Sequence, residues 1–125
     1  MTPTPHALAV INGAFCQVTR NGNRTRWHAP LATAVVEFHH GAMNYYVREH
    51  PYGLLPGLPN LYCLDASLRL KWMAEWPDSG DPCTSILGET DNALVAVSAA
   101  GLVVSLDTHS GRLLACSEPV AMAVS

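Results

Sequence analysis

The sequence predicts an all-β protein with little or no helix, and three observations predict it. Apolar and β-branched residues fall in short runs separated by turn signals such as Asn12-Gly13, Asn21-Gly22 and Ser110-Gly111. No segment carries a helical apolar stripe of useful length. The third observation is that a hairpin recurs. Val18, Leu64 and Leu106 precede three turns at spacings of 46 and 42, and Trp27, Trp72 and Leu114 follow them at spacings of 45 and 42. A period in the low forties built from paired strands is the signature of propeller blades.

In order, Ala7 to Ile11 and Ala14 to Thr19 are β-prone runs joined by Asn12-Gly13, and Asn21-Gly22 turns the chain into Arg24 to His28. These make an expected first blade, residues 7–32. Thr33 to Phe38, Met43 to Arg48, Leu61 to Leu64 and Arg69 to Met73 make the second, 33–76. Ser85 to Glu89, Ala93 to Ser98, Leu102 to Leu106 and Arg112 to Cys116 make the third, 84–117, and Val120 to Val124 is one further candidate strand. Eleven or twelve strands give two and a half to three blades of four. A closed ring of six to eight such blades needs roughly 250 to 340 residues. The expectation is therefore a single domain over 1–125, a partial (half) β-propeller of about three antiparallel blades with an open flank.

The middle repeat is longer than its neighbour. Val47 to Asp65 spans 18 residues where Val97 to Asp107 spans 10, so the loop Pro51 to Pro59 is an insertion of about eight. Three prolines and two glycines between Glu49 and Asn60 exclude a central strand there. Insertions in repeat proteins gather on one face and often build a binding surface, which makes Tyr52 and Leu55 candidate apolar anchors.

Two stretches, LYCLDASLRLKW and GLVVSLDTHSGRLL, resemble the repeat of quinoprotein-type β-propellers. In that repeat a strand ends in a hydrophobic-Asp pair, a Thr-Gly or Ser-Gly turn follows, and the next strand ends in an aromatic. Leu64-Asp65 and Leu106-Asp107 match the pair, Ser110-Gly111 the turn and Trp72 the aromatic. Leu68 stands where a turn glycine is expected, Leu114 replaces the aromatic, and Thr19-Arg20 replaces the pair in the first copy. The resemblance implies a blade architecture and says little of function. Quinoprotein dehydrogenases hold their cofactor along the axis of a complete ring, so no cofactor is expected of so short a chain. No catalytic residues are assigned, because no nucleophile elbow or phosphate loop is present. No metal site is expected of Glu37, His39, His40 and His50, because adjacent histidines in a strand face opposite ways.

Composition adds a compartment and a charge argument. No apolar run is long enough to span a bilayer, and no Lys or Arg precedes Arg20, so neither a membrane partner nor a secretory leader is expected. Cytoplasmic residence follows as the expectation, with Cys16, Cys63, Cys83 and Cys116 as thiols and the three in predicted strands, Cys16, Cys63 and Cys116, buried. Residues 1–50 carry a balance of +2 and residues 51–125 one of −5. Glu75, Asp78, Asp81, Glu89 and Asp91 lie in or beside two consecutive turns of the third blade, with Trp76 among them. An acidic surface there repels nucleic acid and steers a basic partner. A small half-propeller with an acidic face is similar to immunity proteins of bacterial contact-dependent growth inhibition. That resemblance implies a non-enzymatic, protein-binding module that masks a basic toxin domain, its carboxylates standing in for substrate phosphates. The alternative is a scaffold whose copies assemble into a closed ring.

Overall fold

The computed structural model describes residues 7–51 and 57–118. None of these is helical. Eleven strands run β1 (Ala7–Ile11), β2 (Ala14–Val18), β3 (Arg24–His28), β4 (Val35–His40), β5 (Tyr45–Glu49), β6 (Leu61–Leu64), β7 (Leu70–Met73), β8 (Cys83–Thr90), β9 (Ala93–Ser98), β10 (Val103–Asp107) and β11 (Leu113–Ser117). They form three antiparallel meanders, β1-β2-β3, β4-β5-β6-β7 and β8-β9-β10-β11, which are the blades of a partial propeller. The expected strand Val120 to Val124 lies outside the described residues, as do Tyr52 and Leu55. β8 begins at Cys83, inside what reads as a loop.

Hairpin geometry shows which strands correspond. The Asp65 N–H donates to Arg69 O at 2.9 Å and Leu68 N–H to Asp65 O at 2.9 Å, closing the β6–β7 turn. Thr19 and Gly22 repeat these bonds between β2 and β3, and Asp107 and Gly111 repeat them between β10 and β11, there with one extra residue. Asp65 Oδ1 accepts from Ser67 and Arg69 amides, Asp107 Oδ1 from the His109 amide, and Thr19 Oγ1 from the Asn23 amide. Thr19 thus performs the aspartate's role in the degraded copy, which is why the first hairpin survives without it. Gly22, Leu68 and Gly111 take φ of 79°, 64° and 74°. A left-handed conformation costs a leucine about 1–2 kcal/mol. Leu68 is only 5% exposed, and burying its side chain returns about 1.5–3 kcal/mol, so packing outweighs strain.

The ladders correct the sequence alignment by one residue. Gln17 pairs with Arg26, Cys63 with Trp72 and Ser105 with Ala115. Arg26 and Ala115, and not Trp27 and Leu114, therefore occupy the position of Trp72. All three hairpins shift register just beyond this pair, and the shift places Leu114 in the bulge. Trp27 pairs with Cys16 and so lies on the opposite face of its sheet.

The middle sheet is covered on both sides, and β6 shows it residue by residue. Leu61 and Cys63 join the core shared with the third sheet, and Tyr62 and Leu64 the core shared with the first. All four are buried, as expected of a strand between two layers. Between the second and third sheets the Trp72 indole lies on Gly111 and donates Nε1–H to Thr108 O at 2.9 Å. Asn60 clamps the same pair from elsewhere, donating to Glu49 O and Cys83 O and accepting from the Cys83 amide. Between the first and second sheets the fully buried Glu49 carboxylate accepts from the Leu31, Ala32 and Thr33 amides and from the Tyr62 hydroxyl at 2.5 to 2.9 Å. This nest of consecutive amides anchors the connection from the first blade to the second.

Burial pushes Glu49 up, but the amides and Tyr62 outweigh it and hold its carboxyl below the usual range. Burial lowers His28 more than the nearby Glu49 charge and the Leu68 backbone raise it, and His28 Nε2 is buried with no partner among the described residues. Both groups bind protons more weakly folded than unfolded, so stability is full above the unfolded histidine value of 6.5 and falls as pH drops. Denaturant midpoints should be flat from pH 8 to 7 and decline first through the histidine range, then again through the carboxylate range. His28→Phe should remove the first decline and leave the second. A Cβ on Gly111 would sit 2.7 Å from Trp72 Cδ2 at a φ of +74°. Gly111→Ala should therefore cost about 3 kcal/mol in urea unfolding, from strain and overpacking together.

Candidate binding surfaces

The structure divides the acidic residues that the sequence groups together. Asp78 and Asp81 stand in the loop before β8, and Asp91 stands in the hairpin after it, with φ of 41°. An eight-residue strand separates the two sites by about 25 Å. Asp81 is 9% exposed and its carboxylate is spent internally, accepting from the Ser98 hydroxyl at 2.6 Å and the Ala100 amide at 2.7 Å. Its carbonyl accepts from Trp76 Nε1 at 2.6 Å, and the half-buried Trp76 ring packs on the core between the second and third sheets. Asp78 caps its own turn through the Gly80 amide, and Glu75 accepts from the Leu113 amide at 3.0 Å. Only Glu75, Asp78 and Asp91 of the predicted acids are exposed, and they do not form one patch.

Glu89 turns into a cleft of about 260 Å³ between the second and third sheets, lined by Asn44, Tyr46, Lys71, Asn92 and His109 among others. Its Oε2 accepts from the Tyr46 hydroxyl at 2.7 Å. Burial, and then this carboxylate, push the phenol well above its ordinary value, so Tyr46 remains a donor. Lys71 Nζ is occupied by Asn44 Oδ1 at 3.3 Å. These groups satisfy one another, and the cleft presents no activated nucleophile.

Among the described residues no three His, Cys, Asp or Glu side chains converge as metal ligands. His39 lies against Tyr46 and His40 against Tyr45, on opposite faces of their sheet. Cys16, Cys63 and Cys83 are buried thiols, and burial pushes Cys63 and Cys83 up to about 12. Cys116 is exposed, against expectation, because β11 is an edge strand of the last sheet.

Two surfaces emerge that sequence reasoning passes over. One is a groove of about 320 Å³ between the first two blades, lined by Arg26, Trp27, Ser67 and Arg69. Its only sequence signal was the missing aromatic in the first copy, which the one-residue misalignment onto Trp27 concealed. The other is the pair of outer faces. Trp27 is 60% exposed on the first sheet. On the third sheet Leu94, Ala96 and Val104 point inward, while Val95, Val97 and Val103 are only half-buried and Leu87 is 60% exposed.

No protein-family profile matches the chain, and no curated protein matches it in sequence. Among solved structures it is similar to BamB from Moraxella catarrhalis, a β-propeller, at 12% identity and a TM-score of 0.59. The match covers 90% of this chain and 34% of BamB, so the chain spans about a third of that structure's length. The likeness establishes an all-β fold of partial propeller blades.

Asp81→Asn should act on stability. One oxygen of the pair becomes an NH₂ facing a donor, which costs about 1–3 kcal/mol in thermal or urea unfolding. Asp78→Asn and Asp91→Asn should each change it by less than about 0.5 kcal/mol.

Proposed function

We propose that the protein is a non-enzymatic protein-binding module whose partner continues the stack of blades, and that the partner is a second copy of the chain. The observation that carries this reading is the unequal cover of the three sheets. The middle sheet is buried on both faces along β6, whereas on the third sheet β9 and β10 are buried at alternate positions, and the first sheet, though buried along β2 from Ala14 to Gln17, leaves Trp27 60% exposed. By ladder register Val95 and Val103 correspond to Tyr46 and Leu61, the residues with which the second sheet packs on the third. On the first sheet Val18 corresponds to Leu64, which faces backward in its own blade. A copy added head to tail would place these two faces together as the chain already does internally. Such contacts are heterologous and close into a ring when the rotation allows. Two copies would bring about six blades, within the range that propellers use.

Masking of a basic toxin is the second protein-binding reading, with the cytoplasm as its compartment. Its support is the small size and the exposed Glu75, Asp78 and Asp91; with Asp81 turned inward and Asp91 at the far end of β8, charge no longer points to one docking face.

Light scattering over a concentration series should give twice the monomer mass. Val103→Lys, on a half-buried outward position, should return it to a monomer while preserving the far-UV spectrum. A wild-type chain that stays monomeric at the highest concentration would sink the self-association reading.

A further inference from the structure

We propose that the groove between the first two blades is a receptor for an acidic peptide segment, with Arg26 and Arg69 gripping a carboxylate and Trp27 covering the neighbouring residue. This site meets the outer face of the first sheet only at Trp27, and its charged residues, Arg26 and Arg69, take no part in the self-association proposed above.

The argument starts from the repeat departing from its own rule. Between the second and third blades the position of Trp72 is filled by an indole that lies on Gly111 and bonds to Thr108. Between the first and second blades the same ladder position holds Arg26, which among the described residues reaches the Ser67 hydroxyl, at 3.4 Å. The aromatic that closes one crevice is absent from the other, and a groove of about 320 Å³ remains.

Charge selects the ligand. Among the described residues neither Arg26 nor Arg69 has a carboxylate within ion-pair distance, the Asp65 charge acting on Arg69 only from further away, whereas Arg48 is paired with Glu37 at 2.6 Å. Two exposed guanidiniums beside a hydroxyl suit the forked geometry of an oxyanion. Arg24 adds a third positive charge, its Cζ 5.5 Å from the centre of the Trp27 ring. Trp27, 60% exposed, offers a flat apolar wall next to these charges. An aromatic beside arginine is the composition that anchors protein partners.

Two features favour a peptide over other anions. The Asp65 carboxylate holds the turn that carries Ser67 and Arg69, so a polyphosphate backbone leaving the groove on that side would meet a negative charge. The net charge of −3 opposes a nucleic acid, charged at every residue, more than a peptide that brings one carboxylate. A lone phosphate would leave most of the groove to water, whereas an acidic side chain with its neighbour fills it.

Tryptophan fluorescence and isothermal titration provide the test, using a short peptide with one Glu beside a Leu in an otherwise uncharged sequence, inorganic phosphate and an oligothymidine as probes. The peptide should bind and perturb the tryptophan emission. Arg26→Glu with Arg69→Glu should weaken it by about tenfold or more, at an unchanged melting temperature, since both side chains are exposed. If the double charge reversal left peptide affinity intact, or if phosphate or the oligonucleotide bound as tightly as the peptide, the assignment would be overturned.

Discussion

Everything in this structure depends on one constraint: a twisted sheet with apolar residues on both faces must be covered on both. A single blade of four short strands cannot do this, so the chain repeats the blade and stacks copies. The middle sheet meets the condition, and its strand β6 is buried at all four positions. The third sheet meets it on one face along β9 and β10, and the first leaves Trp27 exposed beside a buried β2.

Apolar contact alone would leave the angle between blades loose. Polar groups from the connections set it. Glu49 gathers three successive amides and the Tyr62 hydroxyl, Asn60 ties the second sheet to Cys83 of the third, and Asp81 ties the loop before β8 to Ser98 and Ala100. Buried carboxylates are costly unless their lone pairs are used, and in both cases they are. The residues that read as surface acids in the sequence are therefore partly internal fasteners, and this is the main reason that the acidic face does not materialise. Glu49 and Asp81 belong to the same class, although only Asp81 falls in the acidic run.

Divergence within the repeat is where the fold becomes particular. The turn built by Asp65 is rebuilt with Thr19 and lengthened by one residue at Asp107, and the left-handed position is held by Gly22, Leu68 or Gly111. Each solution preserves the hairpin, because the bonds are made by the backbone and need only an acceptor beside them. The inter-blade position is less conservative. Trp72 locks one junction, Arg26 leaves the other open, and Ala115 faces outward beyond the third sheet.

By itself the sequence determined the all-β class, the three hairpins, the turn chemistry at Asp65 and Asp107, and the type of turn at Asn12-Gly13, whose φ values of 51° and 78° are positive as that dipeptide predicts. These are local properties, written in residues a few positions apart. The sequence could not determine which face each strand residue takes, because a bulge of one residue in a hairpin reverses every side chain beyond it. Trp27 and Trp72 therefore align in spacing and diverge in space. Nor could it tell that Asp81 is internal and Asp91 external, since what distinguishes them is the neighbour that arrives from another strand. Only the tertiary structure decides those matters, because they turn on contacts between residues far apart in the chain.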